Sequence, residues 1–408
     1  MPARGDAISR LLRIPNHQVM EIEEHEEDVF IFLNRIERVL KCPGCGKSAP
    51  GYDVKVRTIR DLPVWGRRTT LVVGCPRVEC PVCGIREVNR AWVGPTGRRT
   101  RRFERWIYEL TRWIPVEDVA EVAGLAWYTV KEIERRYIVG ALRGRDLDGI
   151  TVLGFDEVSY RKGHRYLTII SDINRRRVIA VEKGRDSAAL KRFFSRFGKE
   201  RLAQVREAVI DMHEPYQQAI AEAMPQATIV YDRFHLVKLL NGAIDELRRR
   251  IQRELPAQDR KVLKNKRYVL LKPQKELTPR QRVALEELKR VNEPLSTAHL
   301  LKEDFREIYQ APNATEARGA FADWIRRVRA AAIPELLDFV KTLRRHFGGV
   351  LAFFRYGHRL TNALSEGFNN VIKTLKKVAY GFRDLTYFRL KILRHCGKLT
   401  SHALPTPF

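Results

Sequence analysis

Long apolar runs are missing from this 408-residue sequence. No segment reaches the roughly 18 consecutive apolar residues that a membrane-spanning helix requires. The opening Met-Pro-Ala-Arg-Gly-Asp lacks the apolar core of a secretory signal, and no amphipathic anchor helix of the membrane-surface kind stands out. Solenoid-type repeats and long low-complexity tracts are absent too. Negative charge is the other shortage: 49 Asp and Glu stand against 76 Lys and Arg, a formal net charge of +27. With 44% hydrophobic and 31% charged residues, the chain is neither a fibre nor wholly disordered. Its length suggests roughly two to four domains. The expectation is a soluble intracellular protein whose partner is a polyanion, most often nucleic acid.

Cysteine is also scarce, and its placement is uneven. Five of the six fall between Cys42 and Cys83, with Cys396 alone near the end. Cys42-Pro-Gly-Cys45-Gly and Cys80-Pro-Val-Cys83-Gly are two similar turns at about the separation of a zinc ribbon. Four thiolates in two such turns suit a closed tetrahedral structural Zn2+ site. Cys75 leaves one alternative open, since Cys75 with Cys80 would also make a second pair. Cys396 reads as a small core residue. Gly46-Lys47-Ser48 has the ending of a phosphate-binding loop, but position 41 is Lys where that loop needs Gly.

An acidic stretch, Glu21 to Asp28, runs into apolar Val29 to Leu33, an expected strand, and Arg67 to Val73 reads as another. Arg98, Arg99, Arg101 and Arg102 form a basic stretch that suits either a solvated linker or a phosphate track. Val116, Val119, Ala120 and Ala123 make one apolar helical face, Gly124 supplies a turn, and Val130 with Ile133 give a second helix its buried side. This is helix-turn-helix spacing. Trp127, Tyr128, Thr129 and Lys131 would open its recognition helix. From residue 150 the period changes to short β-branched runs at 150–158, 166–173 and 177–181. A helix (187–197), a strand (208–211), a helix (215–223), a strand (228–232) and a helix (234–253) follow. That βββαβαβα order is the order of the ribonuclease-H-like fold. Residues 255–355 read as an all-helical insertion, and 360–395 as a closing helical stretch. The expected class is α/β multidomain: ribbon at 1–95, helix-turn-helix at 96–147, core at 148–254, insertion at 255–355, and the rest of the core at 356–408.

In such a core, Asp156 on the first strand and Asp211 at the end of the fourth meet at one sheet edge. Phosphodiester chemistry there calls for hard oxygen ligands for Mg2+ or Mn2+, and two such ions activate and stabilise the two oxygens of an in-line displacement. Glu366 is the best third carboxylate; Glu157, Asp172 and Asp232 are rivals. Asp232, in Tyr231-Asp-Arg-Phe-His235, reads as support for the site. Glu366, Lys373 and Lys377 share one helical face, so Lys373, Lys376 and Lys377 would hold a DNA backbone beside the acid.

Gly154-Phe-Asp-Glu157, Asp232-Arg-Phe-His235, and Glu366-Gly-Phe-Asn369 with the following Ile-Lys-Thr-Leu-Lys-Lys and Tyr380-Gly381 together resemble bacterial insertion-sequence transposases of the ISL group (the family numbered three). The resemblance covers almost the whole chain. It implies a zinc ribbon, a helix-turn-helix and an Asp-Asp-Glu core with Asp156, Asp211 and Glu366 as the catalytic triad, while His235 and Asn369 join Asp232 as site support. It further implies metal-dependent strand cleavage and transfer at terminal inverted repeats, by a homodimer or higher oligomer on double-stranded DNA (element ends and target), in a cytoplasmic, nucleoid-associated protein. The family's ribbon often pairs cysteines spaced as Cys75 and Cys80-Pro81 are, so the fourth zinc ligand is Cys75 or Cys83. The competing reading is a sequence-specific DNA-binding regulator with an inactive transposase-like core. It predicts loss of one acid, and all three are present. A structure-selective nuclease on the same fold would not need the ribbon and helix-turn-helix.

Overall fold

The computed structural model describes residues 4–37, 39–161, 163–256, 260, 266–355 and 363–399. It divides into two compact units, one up to Arg145 and the other Asp146–Lys398.

The first unit begins with α1 (Arg4–Leu12), β1 (His17–Glu24), β2 (Asp28–Arg35), β3 (Gly51–Val64), β4 (Arg67–Cys80) and β5 (Gly84–Glu87). These strands form one sheet in the order β1-β2-β4-β3, with β5 on β4. Alternation decides its buried side: Val29, Ile31 and Leu33 of β2 pack with Ile59 of β3 and Leu71, Val73 and Cys75 of β4. The acidic stretch turns out to be the β1–β2 hairpin. Three of its acids pair with β4, Glu24 with Arg67 at 2.9 Å, and Glu27 and Asp28 with Arg68 at 3.0 and 2.9 Å.

Three helices follow: α2 (Arg101–Leu110), capped by the Thr100 hydroxyl, α3 (Val116–Ala123) and α4 (Trp127–Arg143). Phe103, Ile107, Val119, Ala120, Ala123, Val130 and Ile133 form their shared core. Gly124, between α3 and α4, has φ 60°, a left-handed conformation that costs glycine little. The expected boundary near residue 95 is not a packing boundary. Thr100 donates to buried Asp61 on β3 at 2.7 Å, Arg102 pairs with the same carboxylate, and Arg60 donates to the Ala123 carbonyl at 3.4 Å.

The second unit contains β6 (Val152–Arg161), β7 (Arg165–Asp172), β8 (Arg177–Lys183), α5 (Ser187–Phe197), α6 (Lys199–Gln204), β9 (Glu207–Ile210), α7 (Glu214–Ala223), β10 (Thr228–Tyr231) and α8 (Arg233–Glu254). The strand order is β10-β9-β6-β7-β8: an antiparallel meander on one side of β6, and parallel β9 and β10 on the other. The expected order of elements is present, with α6 as a short addition.

Beyond α8 the described chain is helical, as expected: α9 (Arg267–Leu271), α10 (Pro279–Val291), α11 (Glu293–Ile308), α12 (Ala314–Ala331), α13 (Pro334–Arg345), α14 (Phe347–Arg355), α15 (Ala363–Val378) and α16 (Leu385–Cys396). Among the described residues, the segment expected as an insertion shares the hydrophobic core of the sheet. Leu301, Phe305, Trp324 and Phe354 belong to the same cluster as Phe155 and Val209 of the sheet. Gly349 of α14 lies so close to β10 that a Cβ there would stand 2.4 Å from the Tyr231 ring. The sheet's opposite face packs Val158, Leu167 and Val181 against Phe368 and Ile372 of α15 and Phe388 and Ile392 of α16.

Within the helical segment, buried Lys302 donates to the carbonyls of Leu270 (2.5 Å) and Lys272 (2.8 Å), closing the end of α9. Neighbouring His299 is fully buried; burial, with the Lys302 charge, pulls its pKa down to about 4. An unfolded imidazole titrates near 6.5, so below that pH unfolding takes up a proton that the folded chain refuses. Stability therefore falls as pH drops from about 6.5 towards 4, by on the order of 2 kcal/mol at pH 5 from this group alone. Comparing urea midpoints at pH 7 and pH 5 for wild type and His299→Leu checks this: the variant should lose less on acidification.

Candidate active site

Two parallel neighbours bring the acids together. β6 and β9 pair with Val152 opposite Glu207 and Gly154 opposite Val209. Two more residues along each chain reach Asp156, still within β6, and Asp211, the residue after β9. From the next strand end comes α8, capped by buried Asp232, whose carboxylate accepts from the Phe234 amide. One turn in, His235 places Nε2 2.6 Å from Asp211 Oδ1. One ligand atom from each of Asp156, Asp211 and His235 lies within 4.8 Å of the others. From the other side of the sheet Asn369 of α15 donates to Asp156 Oδ2 at 2.9 Å, and the Glu157 amide donates to Oδ1 at 2.7 Å.

The electrostatics follow from this crowding. Burial, then the Asp211 charge, raises Asp156 to about 6 against the opposing Glu157 amide. Burial also lifts Glu157 to about 7, with Arg185 opposing. Burial alone would lower His235, but its hydrogen bond to Asp211 and the surrounding carboxylates leave it raised. Like-charged carboxylates at close range disfavour joint ionisation, and a divalent cation between them reverses that preference. The donor set, two carboxylates with an imidazole and an amide close by, therefore fits a hard divalent cation.

The other expected site residues are placed as follows. Glu366 is exposed in the first turn of α15, three residues before Asn369, and stands outside the Asp156–Asp211–His235 group. Among the rivals, Asp172 is buried and paired with Arg175 and Arg177, opposite Leu153 rather than Asp156. Glu157 alternates to the α7 side, 4.0 Å from His213. Asp232 acts as the α8 cap. Residues 360–362, where the expected closing helical stretch begins, lie outside the described residues.

In the first unit, Cys42, Cys45, Cys80 and Cys83 bring their sulfurs within 4.8 Å of one another, Cys45 and Cys80 at 3.6 Å. Gly46 (φ 73°) and Gly84 (φ 72°), which follow the two pairs, are both left-handed. At Gly44 any Cβ would meet the Cys83 sulfur at 2.9 Å. Backbone amides of Cys45 and Gly44 draw Cys42 down to about 7, whereas the hydrogen bond to Cys42 pushes Cys83 up to about 12. Four such thiols ionise together only around a cation, and the all-sulfur set fits zinc. Cys75 is elsewhere: it is buried among Leu71, Val73 and Trp92, and Arg90 donates to its sulfur. Five residues of strand separate it from Cys80, about 16 Å, so the two cannot share one ion. Cys396 is buried in the α16 core, and burial raises it to about 12.

Of the basic stretch, Arg98 is exposed, but its neighbours are engaged within the protein. Arg99 pairs with buried Glu104 at 3.6 Å, Arg101 donates to the Ala91 carbonyl at 2.6 Å, and Arg102 holds Asp61. Trp127 and Tyr128 are exposed at the start of α4, Thr129 is half-buried, and the Lys131 ammonium lies over the Trp127 ring at 5.4 Å. Lys373 and Lys377 are exposed on α15, and Lys376 is half-buried.

Comparison with known proteins adds four findings. A family model described as a transposase, the DDE domain of ISL3 elements, matches residues 153–392. A model described as the zinc-finger of transposase IS204/IS1001/IS1096/IS1165 matches residues 38–83. The transposase for insertion sequence element IS1001 of Bordetella parapertussis is 33% identical over 377 residues, covering 91% of this chain and 92% of that protein. The transposase for insertion sequence element IS1557 of Mycobacterium tuberculosis is 29% identical over 409 residues, covering 92% and 91%.

Proposed function

The chain belongs to the ISL3 family of insertion-sequence transposases, and from that premise we propose that Asp156, Asp211 and Glu366 are the carboxylates of its DNA strand-transfer site. The observation that carries this reading is the convergence of Asp156 and Asp211 from neighbouring parallel strands, with His235 against one and Asn369 against the other. Asn369 fixes the Asp156 carboxylate, and His235 fixes Asp211. Glu366 sits on the same helix as Asn369 at i−3, a spacing that puts Cβ atoms about 5–6 Å apart. Asp156, Asp211 and Glu366 would hold two Mg2+ or Mn2+ ions. When bound, these supply the Lewis acidity that activates the attacking oxygen of water or a DNA 3′-hydroxyl and stabilises the leaving one. The chain's own contribution is to orient the carboxylates, with Asp156 and Asp211 held at one sheet edge and Glu366 carried by α15.

In this reading the terminal inverted repeats are read by the first unit, with α3–α4 as a helix-turn-helix and the ribbon beside it. Thr129 and Lys131 contact base edges near the start of α4, Arg98 and the α15 lysines contact phosphates, and the protein acts as a homodimer or higher oligomer. Thr129→Ala with Lys131→Ala should relax sequence preference by about 1–3 kcal/mol per lost base contact. Lys373→Ala should instead weaken end and random DNA alike and reduce the salt slope by about one unit. Competition binding at several salt concentrations separates the two. The function itself is tested by incubating purified protein, with Mg2+ or Mn2+, and a plasmid carrying the DNA that flanks the coding sequence. Cuts mapped to the edges of terminal repeats are expected; uncut ends beside specific binding would favour the regulator.

A further inference from the structure

The turn that closes α15 holds a tyrosine where the backbone calls for glycine. The Gly381 amide donates to the Lys376 carbonyl at 2.9 Å, and the Tyr380 amide to the Lys377 carbonyl at 3.1 Å. This paired closure puts Tyr380 at the position where helices turn left-handed and usually carry glycine. Tyr380 has φ 47°, and its relative exposure is 102%. A bulky side chain there strains the backbone, and a ring wholly in solvent recovers no burial in return. Strain of this kind, with no compensation inside the fold, is a reason to look for a role in binding.

The surroundings say what is bound. Glu366, Asn370, Lys373, Lys377 and Tyr380 are all exposed; spacings of three and four residues set the first four in a single row along α15, and Tyr380 follows two residues past its end. The row starts beside Asn369, which touches Asp156, and runs about 17 Å to Lys377 at 1.5 Å per residue, with Tyr380 just beyond the helix end. At 3.4 Å per nucleotide the row is the length of about five nucleotides. Trp65, which is also exposed and left-handed (φ 50°), has no such track: the arginines following it, Arg67 and Arg68, are already paired with Glu24, Glu27 and Asp28.

We propose that Tyr380 stacks on an unpaired base of the DNA end held at the acids, with Lys373 and Lys377 gripping the intervening phosphates. Aromatic stacking accepts any base, and lysines beside it track the backbone. The inference rests on the assignment of Asp156 and Asp211 to DNA strand chemistry.

The test uses the full chain and duplexes of the flanking terminal repeat, with 2-aminopurine placed in turn at each position within about one helical turn of the end. With no Mg2+ or Mn2+ added and no chelator present, so that the ribbon keeps its zinc while nothing is cut, wild type and Tyr380→Phe should change the fluorescence at one position, and Tyr380→Ala should not. With Mg2+, Tyr380→Ala should cut on the order of 10- to 100-fold more slowly, the range for loss of one base stack. Tyr380→Gly should match Tyr380→Ala on DNA while melting about 2–4 °C higher, which separates binding from folding. Identical fluorescence profiles for wild type and Tyr380→Ala overturn the proposal, as does a lower melting point for Tyr380→Gly. If wild type shows the Tyr380-dependent signal yet never cuts, the assignment of the acids fails and the stacking role stands. If it cuts normally without that signal, only the stacking role fails.

Discussion

Asp211→Asn should leave end-DNA binding intact and lower strand cleavage and joining by several orders of magnitude. The substitution keeps the side-chain shape and an oxygen facing His235, whose Nε2 lies 2.6 Å from Asp211 Oδ1, but removes a negative ligand. Magnesium bound through few carboxylates does not tolerate that loss. Asp156→Asn should act alike, because the amide oxygen still accepts from Asn369 while the charge is gone. DNA binding should persist in both, since the ribbon and the α3–α4 pair belong to the other unit. Asp232→Asn should be far milder: its carboxylate caps α8, and asparagine is an equally good cap. Glu366→Gln is the sharpest arm. Near-normal cleavage by that variant would remove Glu366 from the site and leave a two-aspartate centre with His235. Measuring cleavage of end-labelled repeats, alongside binding to the same duplexes, gives both readouts.

How much of this was legible in the sequence varies with the kind of force involved. The pairing of Asp156 with Asp211 was, because the βββαβαβα order fixes which strands are neighbours, and parallel register does the rest. The two CxxC-Gly turns were too, since each needs one left-handed glycine and has it. His235 was visible only as support, because nothing in Asp232-Arg-Phe-His235 says that the helix cap at Asp232 aims the next turn at Asp211. The basic stretch was ambiguous for a physical reason: Arg99 and Arg102 find their carboxylates at Glu104 and Asp61, and Asp61 lies about forty positions away in sequence. Long-range ion pairs leave no local periodicity. The helical segment after residue 255 reads as an insertion in sequence, yet Phe305 and Trp324 complete the core over the sheet. Helical amphipathicity shows that a face is buried and not what covers it.

Cys83→Ser should strip zinc from the protein and unfold the ribbon, whereas Cys75→Ala should keep a full complement. Both cysteines were open as the fourth ligand on spacing alone, and strand geometry separates them. Cys75 continues the buried row Thr69, Leu71 and Val73 of β4 and packs with Val29 and Trp92. Cys80 ends the same strand, opposite Gly84 of β5, where the turn back carries Cys83 towards Cys42 and Cys45. With Cys83 gone, three thiols remain in a turn whose small core is little more than Ala49, Val78 and Val88. A core of that size does not hold a fold without its metal, and apparent binding energies of about 10–16 kcal/mol for structural zinc act as folding energy. Cys75→Ala instead loses a buried sulfur and one of the acceptors of Arg90, which keeps its ion pair with Glu87, a cost on the order of 1–3 kcal/mol with zinc retained. Elemental analysis of reduced protein, with circular dichroism before and after chelation, reads both. Zinc lost from Cys75→Ala and kept by Cys83→Ser would reverse the assignment, and would require β4 to end before Cys75 so that Cys75 and Cys80 could turn onto one ion.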